Sequence, residues 1–238
     1  MSTWNIQETR DLVAQRFGRH QLDLASPSIQ SVVDRQRYAR YHYQETIKLF
    51  DNFVSTHLTD ASLLEVTLGV DEGARGEFEL FITKVGAHVL SCVQSMHAVG
   101  DILAHAVFFS LGMNLAPRPL TERAISLTNV IERLRTTTSF RPVFALVEEL
   151  QTGGDFDQLT ALANHSKHRS IIRASLSEDL TGKCPERHAL KMERFKFCGT
   201  TYPEVSVRQF LGPEYDRCSK LVIDIGNAIN HVLQQSPP

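Results

Sequence analysis

The sequence predicts an all-α helical bundle carrying one small β-hairpin near residues 189 to 210. Three observations predict it. Apolar residues recur at helical spacing over most of the chain. After residue 180 the period drops to strict alternation. Glycine and proline mark the breaks between the periodic stretches.

Residues 4 to 17 (WNIQETRDLVAQRF) make a short amphipathic helix. Residues 29 to 56 make a long one, anchored by Ile29, Val32, Val33, Ile47, Leu49, Phe50 and Val54. Its centre, RQRYARYHY, interleaves Arg35, Arg37 and Arg40 with Tyr38, Tyr41 and Tyr43. That pattern fits either tyrosines in the core with arginine heads in solvent, or a surface that stacks and grips single-stranded RNA. The first is the expectation here. The glycines of GVDEGARG (69 to 76) read as a loop. The longest helical pattern runs from Glu77 to about Met113 and closes at the prolines of NLAPRP. Thr121 reads as an N-cap for a helix to Leu134, and Ser139 as one for a helix through Leu150. Gly153-Gly154 ends that helix, and Asp155 starts the next, expected to run to about residue 176.

The hairpin pairs ALKMERFKFC with EVSVRQF across a loop of about five residues, GTTYP. A last helix follows Gly212-Pro213, with Leu221, Ile225, Ile229 and Leu233 on one face. No linker interrupts the chain, so a single helical domain over 1–238 is expected. Its core spans about 29–180, followed by the hairpin at 189–210 and a C-terminal helix at 213–235.

The hydrophobic fraction is 42% and the net charge −2, so no global basic field draws the chain to nucleic acid or membrane. A polyanion site would have to be local. Cys92, Cys184, Cys198 and Cys218 show no CxxC spacing, which argues against a zinc ribbon. The N-terminus lacks the basic and apolar regions of a signal peptide. The apolar run from His88 to Ala116 is broken by Gln94, His97, Asp101 and His105 and does not read as a membrane span. A cytoplasmic protein with reduced thiols, no membrane partner and no cofactor is the expectation.

One stretch concentrates polar chemistry: Asn164-His165-Ser166-Lys167-His168-Arg169. On a helical wheel His165 and His168 fall on the apolar face set by Ala161, Ile172 and Leu176, with Asn164 at its edge. A buried imidazole needs a partner. The long helix offers Asp101, the one carboxylate inside its apolar run. Asp101 is therefore expected to meet His168 and orient it, as the partners of general bases do. His97, Asp101 and His105, at i, i+4 and i+8, also make a weak metal-ligand stripe.

A helix carrying Asn164-x-x-x-His168 after a long polar-striped helix resembles the HEPN superfamily of helical toxin and defence domains. The stretch is also similar to the Asn-x-x-Lys-His-Arg helix of uncharacterised bacterial proteins. The HEPN hallmark is Arg-x4-6-His with a polar residue after the arginine. Asn164 matches the polar position and His168 the histidine, while Ala163 stands where the arginine would be. The resemblance covers about residues 77 to 180. It implies a metal-independent ribonuclease, or a non-catalytic relative, acting on RNA or a nucleotide as a homodimer. His168, Asn164 and Asp101 would then be catalytic. Lys167, Arg169 and His165 would hold phosphate. The alternative is a non-catalytic interaction protein whose polar seam fixes helix register.

Overall fold

The structure, a computed structural model, describes residues 3 to 235. It is mostly helical, with a small antiparallel strand set. The helices are α1 (Ile6–Phe17), α2 (Arg19–His57), α3 (Leu63–Leu68), α4 (Glu72–Ser110), α5 (Leu127–Arg135), α6 (Arg141–Leu150), α7 (Gly154–His168) and α8 (Val207–Gln235). Five strands fall between α7 and α8: β1 (Ala174–Glu178), β2 (His188–Met192), β3 (Phe195–Phe197), β4 (Thr200–Tyr202) and β5 (Val205–Ser206).

Several helix boundaries differ from the sequence expectation, each for a local reason. α2 begins ten residues early and runs through Pro27. Hydroxyls of Ser26 and Ser31 donate to the carbonyls of Leu22 and Pro27, both at 2.8 Å, on either side of the Asp23 carbonyl, whose usual helical donor Pro27 lacks. α4 begins inside the glycine-rich stretch, because the Asp71 carboxylate accepts from the Gly73 and Ala74 amides at 2.8 and 3.2 Å. Thr121 precedes only a 3-10 turn, and Ser126 is the cap of α5, its Oγ accepting from the Asn129 amide. Likewise Ser139 lies in a 3-10 turn, and α6 starts at Arg141. α8 starts at Val207, with Gly212 and Pro213 inside it. Gly212 is there for clearance: a Cβ would stand 2.7 Å from the Tyr43 hydroxyl.

Residues 174 to 178 form a strand, and 171 to 173 lead into it, so this stretch is not the end of a helix. Ala174 and Leu176 are buried and alternate with less buried neighbours, and β1 pairs antiparallel with β2 from Ala174↔Met192 to Glu178↔His188. β2 also pairs with β5, giving the order β1-β2-β5. β3 and β4 form the predicted hairpin's tip. Its turn is two residues, Cys198-Gly199, both with positive φ (47° and 87°), as a twisted hairpin requires.

The chain divides into two compact units. The first takes residues from 3–37, 95–157 and 216–235. The second takes 38–94 and 158–215. α2, α4 and α8 each contribute to both. In the first unit, Ile29, Leu103, Val107, Phe108, Val130, Leu134, Val147, Ile225 and Ile229 form one apolar cluster. There α1 is fixed to α8 by a buried polar network. Trp4 Nε1 donates to Thr9 Oγ1 at 2.7 Å, Thr9 donates to Asn230 Oδ1, and Asn230 Nδ2 donates to the Asn5 carbonyl at 3.1 Å. The second unit buries Phe50, Phe53, Phe81, Leu159, Leu190, Met192 and Phe210, with Phe53 stacked on Phe81 at 4.2 Å. α4 is long and apolar enough to cross a membrane by length and composition, and 56% of its most apolar window is buried within the protein.

Candidate functional site

The polar stretch falls at the C-terminal end of α7, in the second unit. Two backbone bonds close the helix there: the Arg169 and Ser170 amides both donate to the His165 carbonyl, at 2.9 and 3.2 Å. His165 is buried. Its Nδ1 bonds the Ser170 carbonyl at 2.8 Å, so the ring carries that proton on Nδ1. Phe195 and Phe197 meet the same ring edge-on at 5.6 and 6.1 Å. His165 therefore ends the helix and fastens it to β3. Its ring is held by the fold and does not face a phosphate in solvent.

The residues that follow point the other way. Lys167, His168 and Arg169 are exposed, and Asn164 is half-buried. None of these four makes a side-chain hydrogen bond or ion pair among the described residues. The expectation that His168 faces the core fails because the helix stops at His168. Ile172 and Leu176, which defined the apolar face on the wheel, belong to the next segment and to β1.

Asp101 is exposed on α4 and lies in the first unit, whereas His168 lies in the second. The premise for pairing them was a buried carboxylate in want of a cation, and water solvates this one. His97 and His105 are half-buried. No group of three or more His, Cys, Asp or Glu side chains that could hold a metal is found among the described residues. Positions i, i+4 and i+8 drift by about 80° around a helix, which spreads the three side chains apart.

The Arg/Tyr stretch of α2 also departs from expectation. Tyr38 and Tyr41 are 54% and 55% exposed, and only Tyr43 is half-buried. Next to them the structure assembles a pair that the sequence does not show. Nδ1 of His42 on α2 and Nδ1 of His88 on α4 are 2.9 Å apart, with the Tyr41 ring edge-on to both. Burial and the neighbouring His88 charge hold the pKa of His42 below its usual value. No sequence signal joins the two histidines, because periodicity gives each helix a face but no register against its partner.

A second polar centre in the same unit surrounds Glu178, whose side chain is 6% exposed. Its carboxylate accepts from the Leu63 amide at the start of α3 at 2.8 Å and from Arg187 Nε at 2.9 Å, with His188 Nε2 3.5 Å away. These donors hold the Glu178 carboxyl below the usual carboxylate range, the Leu63 amide contributing most. The arrangement clamps α3 to the sheet.

Three comparisons with known proteins found nothing similar: no family model, no curated protein and no solved structure matches this chain.

Proposed function

We propose that the protein binds RNA, or the phosphates of a nucleotide, through the cationic end of α7, as a HEPN-like helical protein of the cytoplasm that acts as a homodimer. The observation that carries this reading is the exposure of Lys167, His168 and Arg169 together, with no anion of the described residues bonded to them. The negative end of the helix dipole stabilises cations at this position by about 0.3–1 kcal/mol, so the fold tolerates the cluster while its charge stays outward. From residue 158 to residue 177 there is no acid, which keeps the local field positive.

Binding is the primary activity in this reading. Cleavage would be attack of a 2′-OH on the adjacent phosphate, with His168 moving the proton and Lys167 or Arg169 holding the phosphoryl oxygens. Among the described residues nothing orients His168, so a second protomer would have to complete such a centre. A non-catalytic interaction role is the second reading. It is favoured by Leu64, Leu68 and Val70, which are 64%, 77% and 103% exposed on and after α3.

The test is anisotropy of labelled single-stranded RNA at several salt concentrations, with a gel assay in EDTA on the same samples. Wild type should bind, and Lys167→Ala/Arg169→Ala should lower the log–log salt slope by about two. Cleavage in EDTA that is lost in His168→Ala would extend the reading to catalysis. Absence of any shift at low salt would reject it in favour of the interaction role.

A further inference from the structure

The first unit holds a cleft of about 310 Å³ where the end of α4, the segment after it and the end of α5 come together. Phe108, Leu111 and Met113 form its apolar floor and Phe140 one wall. The first three are almost wholly buried, so the floor is rigid core. Arg118 and Arg133 also line it, and no carboxylate of the described residues does. Both arginines are exposed, and neither has an ion pair among the described residues. Arg133 donates to the Arg118 carbonyl at 3.2 Å, which ties its guanidinium to the Arg118 backbone at the rim of the cleft. The negative end of the α5 dipole opposes an anion here, so the two guanidinium charges would have to outweigh it, and two of the terminal carbonyls already accept hydrogen bonds. Thr136 Oγ1 donates to the Arg133 carbonyl at 2.9 Å and the Thr137 amide to the Leu134 carbonyl at 3.2 Å.

An apolar floor with two unpaired guanidinium groups and no acid is complementary to one ligand chemistry. We propose that this cleft binds a small amphipathic carboxylate, its short apolar chain against Phe108, Leu111 and Met113 and its carboxylate on Arg118 and Arg133. Guanidinium and carboxylate meet in a planar, two-bonded geometry, which a lone apolar groove could not select. The volume is at the lower end of the ~300–1,000 Å³ usual for ligand sites, which restricts the chain to a short one. The site is independent of the cationic end of α7.

Calorimetric titration of the full chain with octanoate tests the proposal, with octanol and octylammonium as the neutral and cationic isosteres. Saturable octanoate binding is expected, at least about tenfold tighter than octanol and with octylammonium weakest. Arg118→Ala/Arg133→Ala changes only exposed side chains and should remove the preference for octanoate over octanol. Ala116→Trp, at an exposed lining position, should block both ligands. The proposal is overturned if octanoate does not bind saturably, if the double variant keeps the preference, or if Ala116→Trp binds as wild type does. Circular dichroism on each variant establishes that a lost signal is not a lost fold.

Discussion

His42 and His88 bring two ring nitrogens of the same type to 2.9 Å, a distance at which one must donate and the other accept. The gap holds one proton. A second would set two N–H groups against each other between two cations.

Stability should therefore fall as the pH is lowered through the histidine range. The pKa of His42 is lowered in the folded protein, so from about 6.5 downward the unfolded chain takes up a proton that the folded chain resists. The contribution is present above that pH and lost below it. Urea midpoints from pH 8 to pH 5 check this. His88→Leu should give a shallower fall over the same window, because it removes the neighbouring charge. An unchanged profile in that variant would show that the pair does not sense pH.

Two glycine-to-alanine changes in helix interiors should have opposite signs. A Cβ at Gly226 would run into the Trp4 ring, whereas at Gly86 no described atom stands within 4 Å. Gly226→Ala should destabilise by about 1–3 kcal/mol through overpacking. Gly86→Ala should stabilise by up to ~1 kcal/mol through helix propensity. Thermal or denaturant midpoints of the two variants, measured side by side, decide it.

The two histidines of α7 should separate structural from surface roles. His165→Ala loses the bond to Ser170 and the contacts to Phe195 and Phe197, and should cost on the order of 2–4 kcal/mol. His168→Ala, on an exposed side chain, should stay within about 0.5 kcal/mol of wild type. Equal melting temperatures for both variants would contradict the division drawn between them.

Glu178→Gln removes the charge that accepts from Leu63 and Arg187, and a loss of about 2 kcal/mol is expected. Because the Glu178 pKa is depressed in the folded state, its contribution is present above the ordinary carboxylate range and lost as pH falls through the lower folded value. The gap between wild type and variant should therefore narrow in acid. A gap constant from pH 7 to pH 3 would count against this account.

Much of the fold was legible because its signals are local. The periodicity of α1, α4 and α8 and the alternation after residue 180 reflect burial within single elements. Misread boundaries had competing local signals: Gly73 and Gly76 against the Asp71 cap, and Thr121 against Ser126. The stretch 171 to 178 was ambiguous in a deeper way. Ile172 and Leu176 satisfy a helical i, i+4 pattern, and Ile172, Ala174 and Leu176 satisfy an alternating one. Pairing with β2, fourteen residues further on, decides between them, and no local pattern carries that information. The site suffered most for the same reason. Exposure of His168 follows from where α7 stops, and the meeting of His42 with His88 from the register of two long helices.

The assignment of segments to the two units bears on how the chain can be made. Residues 3–37 are made long before 216–235, yet their unit is completed only when those later residues bring Ile225, Ile229 and Val232 to its core. The second unit likewise waits for 158–215 to join 38–94. Each unit therefore waits for a segment that is made after part of the other, and neither can be released whole as one continuous fragment free of the other. A nascent chain stalled before α8 would hold α1 with the Thr9 hydroxyl and Trp4 indole still lacking Asn230 beside them, a state that chaperones and proteases can distinguish from the finished protein.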